Sequence, residues 1–431
     1  MNLAIQNSFH KFKSNQDWSF QKVSRSETNY ITHGYHRYPA KFIPNIVKKL
    51  IEDNISHGNV VCDPFGGCGT TLVEAKILGV ESIGFDINPI AKLITQTKVI
   101  PIKPKTLENA KNAFIKNLGT VQQVEFNHNA RIKYWFDEKT LEELDKIYLA
   151  IKQIKNHNVH RFFLCAFSHI LKNCSRWLMK SIKPTIDKDK QIPPPVDTFL
   201  RHLEYMIRKN IEFYNLLIEM GNSHTPTKMR IWDSTKRLPL APNSIGIIIT
   251  SPPYVTSYEY VDLHQLSLLW LSDDPDYKKR HHYSDKFDSF RKKFVGTRSK
   301  KRKTGEAQSK IAENIIQLLS GVDKRLANNV ANYFLDMKKA FAEMYRILKP
   351  GGKACIIIGN TTLREIQILN AEVVAEQMQR IGFKQIKIIK REVSNKMIAP
   401  WRDSQNGRFT GLSNPDRKRV YEYEYIVIME K

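Results

Sequence analysis

The chain has 431 residues, of which 41% are apolar, which is enough for a sizeable core in one enlarged domain or two. Lys and Arg outnumber Asp and Glu by 68 to 43, and a net charge of +25 favours a polyanionic partner, nucleic acid before a membrane surface. The sequence shows no apolar run of transmembrane length, no signal-peptide core and no C-x-x-C among its five cysteines, so we expect a cytoplasmic protein without membrane attachment, disulfide framework or zinc knuckle.

The first part of the chain predicts a βαβ unit behind a polar arm. Residues 1–32 form this N-terminal arm, which we expect to be poorly ordered or draped over the surface. After a short helix that begins near Pro44, the pattern predicts a strand at 59–63, a Gly-rich turn at 64–69, a helix at 70–79 and a strand at 82–86. A strand–helix–strand order of this kind indicates a parallel sheet.

The middle of the chain interrupts the sheet. Residues 100–225 have apolar residues at helical spacing and predict a helical insertion. The sheet resumes with strands at 228–234 and 245–251, followed by a helical run at 262–271.

The last part of the chain returns to alternating helices and strands. A charged, aliphatic-poor region at 272–310 precedes an amphipathic helix at 331–348, which we expect the KPGG run to stop. The remaining elements are a strand at 353–360, a helix at 370–382, and neighbouring strands at 383–393 and 421–430 joined by a loop at 394–419.

The glycine turn DPFGGCGTT predicts a ligand site. It has no lysine for a Walker loop, and Leu72 occupies the place of the third glycine of a dinucleotide fingerprint. Asp86 ends the following strand, from which a carboxylate can bind ribose hydroxyls. A glycine turn and an acid without a phosphate lysine suit S-adenosylmethionine, with Asp63 near its ammonium group, directly or through water. A purely structural tight turn is the alternative.

The stretch Ser251-Pro252-Pro253-Tyr254 ends a buried strand in a rigid loop with few donors. An exocyclic amine of a base is a poor nucleophile because its lone pair is delocalised into the ring. Fixed acceptors, the Ser251 side chain and the loop carbonyls, would draw its N–H bonds out of the ring plane. Tyr254 offers a face on which an extruded base can stack. The alternative is a Pro-rich surface turn.

With these two motifs the chain resembles the S-adenosylmethionine-dependent DNA amino-methyltransferases. The family's glycine motif, Asp-Pro-Phe-x-Gly-x-Gly-Thr, matches residues 63–70, and its catalytic motif matches residues 251–254 in the Ser form typical of cytosine-N4 enzymes. The resemblance implies an α/β, Rossmann-like methyltransferase fold, with a mostly parallel seven-stranded sheet and an antiparallel C-terminal strand. The catalytic domain would comprise 33–99 and 226–431.

The resemblance also implies which residues contact the cofactor. YPAKF at 38–42 resembles the motif that closes over the methionine end, and IWDS at 231–234 stands where an acidic motif borders the adenine ring. The implied cofactor-binding residues are Tyr38, Lys41, Phe42, Asp63, Pro64, Phe65, Gly66, Gly67, Gly69, Thr70, Thr71, Asp86, Ile87, Asn88, Asp233 and Ser234.

Two basic segments are candidates for binding double-stranded DNA: RKKFVGTRSKKRK within the charged region, and the 395–419 loop. A solvated, flexible basic loop is the alternative for the first. Their candidate residues are Arg291, Lys292, Lys293, Arg298, Lys300, Lys301, Arg302, Trp401, Arg402 and Arg408. The helical insertion could instead recognise DNA, clamp it or mediate assembly. We predict no metal site, because the isolated histidines have no acidic or Cys partners at ligand spacing.

The sequence therefore predicts methylation of cytosine N4 in duplex DNA with base flipping, in a restriction-modification system that can include a cognate endonuclease. Adenine N6 is the close alternative. An RNA amino-methyltransferase and a catalytically inactive DNA-binding subunit are more distant ones. A cytosine-C5 reaction is disfavoured because none of the five cysteines follows a proline, as the usual attacking thiolate does.

Overall fold

The structure is a computed structural model, and it describes most of the chain. The described residues are 9, 11–39, 41–56, 58–121, 128–255, 260–272, 290–291, 293–296, 305–393, 401–404, 410–411, 413–419 and 422–431. No helix in these ranges is long and apolar enough to cross a membrane.

A seven-stranded sheet organises the fold. Its strands are β1 (Val61–Asp63), β2 (Ser82–Asp86), β3 (Thr227–Ile231), β4 (Ile245–Thr250), β5 (Leu348–Ile358), β8 (Lys384–Glu392) and β11 (Tyr423–Glu430). They lie in the order β3-β2-β1-β4-β5-β11-β8, and neighbouring strands are parallel except β11, which is antiparallel to both β5 and β8. The sheet confirms the predicted fold class, including the antiparallel C-terminal strand.

Helices cover both faces of the sheet, so its central strands are apolar throughout. In β4, Ile248 belongs to the apolar cluster on one face of the sheet, and Ile247 and Ile249 belong to the cluster on the other face. The first face carries α13 (Lys310–Val322), α14 (Lys324–Ile347) and α15 (Asn370–Ile381); the second carries α3 (Pro44–Asn54). Burial on both sides is why these strands lack polar alternation.

The predicted helical insertion is helical and has an aromatic core of its own. Its helices are α6 (Pro104–Leu118), α7 (Ala130–Trp135), α8 (Glu138–Lys152), α9 (His157–Cys174) and α10 (Pro195–Glu219). Phe162, Phe167 and Trp177 are fully buried in this core. The apolar cluster that contains these three side chains also includes residues of α5 (Pro89–Val99) and α12 (Gln265–Ser272). The insertion is therefore attached to the rest of the fold beside β2.

The N-terminal arm lies against the sheet where it is described. It contains α1 (Gln16–Ser19) and α2 (Arg25–Thr28). Asn15 donates its backbone N–H to the Lys390 carbonyl at 2.8 Å, beside the edge strand β8. Trp18 is buried in the core that α3 covers, so this part of the arm is packed rather than loose.

Several predicted boundaries were wrong. Helix α14 begins at Lys324 rather than at residue 331, but it ends at Ile347, one residue before the predicted end and directly ahead of the KPGG run. The run itself lies inside β5, at an irregularity in its pairing with β4 that Gly351 permits with a φ of +74°. The β1 and α4 (Thr70–Ile77) elements are shorter than expected, and β3 ends at Ile231. The run 262–271 forms two helices, α11 (Tyr260–Leu263) and α12.

Other elements later in the chain were not predicted. Helix α13 follows the charged region directly. A small hairpin, β6 (Thr361–Leu363) and β7 (Ile366–Ile368), follows β5. The presumed loop 394–419 contains a second hairpin, β9 (Trp401–Asp403) and β10 (Arg417–Arg419).

Candidate active site

A cleft opens at the carboxyl ends of β1, β2 and β4. Ligands bind to parallel α/β sheets at this edge. Most of the predicted cofactor residues form its wall, namely Tyr38, Lys41, Phe42, Pro64, Phe65, Gly66, Gly67, Thr70, Asp86, Ile87, Asp233 and Ser234. Asp63, Gly69, Thr71 and Asn88 do not line it.

The glycine turn is held tightly in place. Gly66 donates its N–H to the Phe85 carbonyl at 2.8 Å, and Gly67 donates to Asp86 Oδ2 at 3.0 Å. Gly67 and Gly69 have φ values of +48° and +76°, which side-chain-bearing residues rarely adopt. A Cβ at Gly67 would also come within 3.2 Å of the Tyr38 hydroxyl oxygen. The turn therefore presents bare backbone to the cleft.

Asp63 supports the turn from beneath rather than from the cleft wall. Its Oδ1 accepts hydrogen bonds from Thr250 Oγ1 at 2.6 Å and the Phe65 N–H at 3.1 Å, and its Oδ2 accepts one from Thr71 Oγ1 at 2.7 Å. The side chain is buried, and this burial raises the pKa of Asp63 to about 6. Asp63 thus fastens β4, the turn and α4 to one another.

Asp86 lies in the cleft wall beside the glycine turn. Oδ1 accepts the Asn88 N–H at 2.8 Å and Oδ2 accepts the Gly67 N–H, so backbone donors fix the orientation of the carboxyl group. Burial raises its pKa to about 6. Asn88 itself faces away: it caps α5 through Ile90 N–H and contacts His264 at 3.0 Å.

Tyr38, Lys41 and Phe42 line one side of the cleft. Lys41 Nζ donates to Asn29 Oδ1 and to the His33 carbonyl, both at 2.9 Å. Burial lowers the pKa of Lys41 to about 8. The Tyr38 ring lies 5.2 Å from the ring of His264, so aromatic packing positions this side of the cleft.

The opposite side follows β3. Asp233 and Ser234, two of the predicted cofactor-binding residues, line the cleft, and the Ser234 hydroxyl donates to the Pro64 carbonyl, which joins this loop to the glycine turn. Trp232 also lines the cleft and is 39% exposed. Sequence reasoning missed Trp232, although a large aromatic residue within IWDS was the available signal.

The predicted catalytic loop follows β4 into the same cleft. Ser251 and Pro253 lie in the wall, Pro252 is buried, and half-buried Tyr254 turns away from this cleft. The Tyr254 hydroxyl donates to Glu424 Oε1 at 3.1 Å. One side of the loop therefore faces the cleft, and the other side faces the C-terminal end of β5 and the N-terminal end of β11.

The predicted DNA-binding residues are only partly described. Lys293 lies in the cleft wall with Phe294 and Val295, two residues that sequence reasoning missed, and Arg291 lies 3.4 Å from Asp262. The Trp401 ring lies 5.2 Å from the Arg417 guanidinium. Lys292, Arg298, Lys300, Lys301, Arg302, Arg408 and the Arg402 side chain lie outside the described structure. Within the described ranges, no group of three or more His, Cys, Asp or Glu is arranged to hold a metal ion.

The sheet order, with its antiparallel β11, and the cleft at its carboxyl edge define the class of α/β methyltransferases. The family comparison is more specific. A family model described as DNA methylase, covering N6 and N4 methyltransferases, matches residues 5–97 and 245–431, and the chain belongs to this family. Family membership confirms the prediction of a DNA methyltransferase and of S-adenosylmethionine as its cofactor. The matched ranges leave out the helical insertion and β3.

Curated relatives resemble the chain over most of its length. It is 25% identical to the Type II methyltransferase M.MvaI of Kocuria varians, over 90% of this chain and 89% of that one. It is 26% identical to M.BsoBI of Geobacillus stearothermophilus, over 84% and 81%. The solved rRNA methyltransferase aviRa of Streptomyces viridochromogenes shares 8% identity over 94% of this chain and 93% of that one. The TM-score of the two structures is 0.33.

Proposed function

We propose that this enzyme transfers the methyl group of S-adenosylmethionine to N4 of cytosine in a short duplex DNA sequence, after the base has rotated out of the helix. One observation carries the proposal. Ser251 and Pro253 lie in the wall of the same cleft as the glycine turn and Asp86. The loop that would bind the target amine and the site that would bind the cofactor nucleoside therefore open into the same cleft.

The residues of the cleft fit the proposed cofactor. Asp86 would bind the ribose hydroxyls, since it lies in the cleft wall with a carboxylate that backbone donors orient. Trp232 and Asp233 would border the adenine ring, and the Tyr38–Phe42 segment would close over the methionine end. The bound cofactor supplies an electrophilic methyl group on a sulfonium. Asp63 would act through the turn that it fastens.

The catalytic loop would bring the amine to the methyl group without a strong general base. Ser251 Oγ and the loop carbonyls would accept the amine N–H bonds and draw them from the ring plane. The two prolines fix the backbone and remove competing donors. Holding the amine in place supplies much of the rate, and its proton can leave to water after transfer. Tyr254 would stack on the extruded base.

Cytosine rather than adenine is favoured by the Ser form of the loop, since the resemblance associates Ser with cytosine-N4 enzymes. Adenine N6 is the second candidate, because the same acceptors serve either amine. The relatives named Type II methyltransferase support a modification enzyme, and we propose that it acts on cytoplasmic DNA beside a cognate restriction endonuclease. Arg291, Lys293 and the β9–β10 hairpin are the described elements that we propose for DNA contacts.

Nucleoside analysis tests this function. The protein is incubated with S-adenosylmethionine labelled in the methyl group and with unmethylated plasmid DNA, which is then digested and separated. We expect label in N4-methylcytosine. Label in N6-methyladenine would overturn the base assignment, and transfer to RNA alone would overturn the DNA substrate. No transfer to either nucleic acid would favour an inactive DNA-binding subunit.

A further inference from the structure

Tyr254 is held by contacts that the catalytic motif does not contain. Its ring packs against the end of β5, where a Cβ at Gly359 would lie only 3.1 Å from Cε2 of the tyrosine. Its hydroxyl donates to Glu424 Oε1 at 3.1 Å. The ring is therefore fixed at both its edge and its tip.

Glu424 is itself held by a buried cation. It lies directly opposite Arg391 in the pairing of β11 with β8, and Arg391 Nη1 donates to Glu424 Oε2. Each carboxylate oxygen thus has a different partner, one from the catalytic loop and one from the edge strand. Arg391 is only 4% exposed. Removing one member of a buried charge pair strongly destabilises the folded protein, because the other charge is left buried without its partner.

The N-terminal arm completes the arrangement. Arg391 Nε donates to the Trp18 carbonyl at 2.8 Å, and its Nη2 donates to the Ser19 carbonyl at 3.4 Å. The backbone N–H of Glu392 donates to Ser19 Oγ at 3.1 Å. A continuous set of contacts therefore runs from the arm through Arg391 and Glu424 to Tyr254.

We propose that Glu424 is a positioning residue, which acts through Tyr254 to hold the stacking face for the target base. This inference rests on the proposed function. A ring that is already held in place loses little conformational freedom when a base stacks on it, so the contact favours the reaction with DNA. Neither Glu424 nor Tyr254 lines the cofactor cleft, so cofactor affinity should not depend on this contact.

The test is a double-mutant cycle with Tyr254→Phe, Glu424→Gln and the double variant, measured as kcat/KM for plasmid DNA. Tyr254→Phe keeps the ring and the charge pair and removes only the hydroxyl. We expect kcat/KM to fall about tenfold, the loss expected for one preorganising hydrogen bond. The double variant should lie within about twofold of the weaker single variant, because both changes act on the same hydrogen bond: one removes the donor hydroxyl and the other replaces the charged acceptor with a weaker neutral one. The dissociation constant of S-adenosylhomocysteine should change by less than about twofold.

Tyr30→Phe is the matched control, because Tyr30 also donates its hydroxyl to a carboxylate, Glu74 Oε1 at 2.6 Å, outside the catalytic loop. It should leave kcat/KM for DNA unchanged. Should Glu424→Gln fail to fold, Tyr254→Phe alone decides. If the wild type is active and Tyr254→Phe has the same kcat/KM as the wild type, the inference about Glu424 is wrong and the proposed function stands. The same conclusion follows if the two single effects multiply in the double variant. A wild type that methylates no nucleic acid overturns the proposed function as well.

Discussion

Gly69 offers a sharp test of how closely the glycine turn is packed. It precedes α4 with a φ of +76°, and a Cβ there would lie 2.5 Å from Thr95 Cγ2 and 2.8 Å from Thr95 Oγ1. Thr95 cannot move freely, since its hydroxyl donates to the Gly67 carbonyl at 2.9 Å. Gly69→Ala should therefore disturb both the backbone and the wall of the cleft.

The expected cost follows from these contacts. An L-residue in the left-handed region costs about 1–2 kcal/mol. Displacing Thr95 loses a hydrogen bond worth about 1 kcal/mol. The free energy of unfolding should thus fall by about 2–3 kcal/mol, and S-adenosylhomocysteine should bind about tenfold more weakly because Gly67 shifts.

Urea unfolding and equilibrium titration with S-adenosylhomocysteine measure the two effects. Gly221→Ala is the matched control: its φ is +70°, but a Cβ there would have no heavy atom within 4 Å. Its free energy of unfolding should fall only by the cost of a left-handed backbone at an L-residue, about 1–2 kcal/mol, and its affinity for S-adenosylhomocysteine should not change. Equal losses in both variants, with equal affinity for the cofactor product, would refute the packing argument.

Three further outcomes are expected. Asp86→Ala should weaken S-adenosylhomocysteine binding by at least about tenfold in a titration, while Asp53→Ala, at an exposed position, should not; equal affinities would remove the ribose assignment. Because burial raises the pKa of Asp63 from 3.8 to about 6, the folded state holds this proton more tightly than the unfolded state, and stability should fall as pH rises from about 4 to about 6. Asp63→Asn should reduce that pH dependence by up to about 3 kcal/mol in urea unfolding at several pH values, and an unreduced slope would contradict the assignment. Lys293→Ala should lower the slope of log affinity for DNA against log salt by about 1, and an unchanged slope would exclude a phosphate contact.

The elements predicted most accurately from the sequence are those for which the local residue pattern and the tertiary contacts favour the same structure. The glycine turn requires positive φ values, and the apolar run of β4 requires burial on both faces, so both the βαβ unit and the site edge could be placed. Residues of the cleft wall such as Asp86 and Ser234 could be found because motif spacing fixes them after adjacent strands. Helix α13 could have been found from Ser309, which caps it by accepting the Ala312 N–H at 3.0 Å.

Long-range contacts could not be predicted in the same way. Asp63 stands in the glycine motif, yet Thr71 and Thr250 bind its carboxylate and direct it away from the cleft. The position of Tyr254 depends on Glu424, which lies 170 residues further along the chain. The KPGG bulge depends on pairing between β5 and β4. Each of these outcomes is decided by a partner that no local pattern contains.

The most direct test of the account is the initial rate of methyl transfer to DNA by Ser251→Ala. Ser251 is the only side-chain acceptor of the Ser-Pro-Pro-Tyr loop that lines the cleft, so its loss should lower the rate about a hundredfold, as for other preorganised groups. Affinity for S-adenosylhomocysteine should stay within about twofold, and Ser244→Ala, before the start of β4, should match the wild type. An unchanged rate in Ser251→Ala would contradict the proposed catalytic role of the loop.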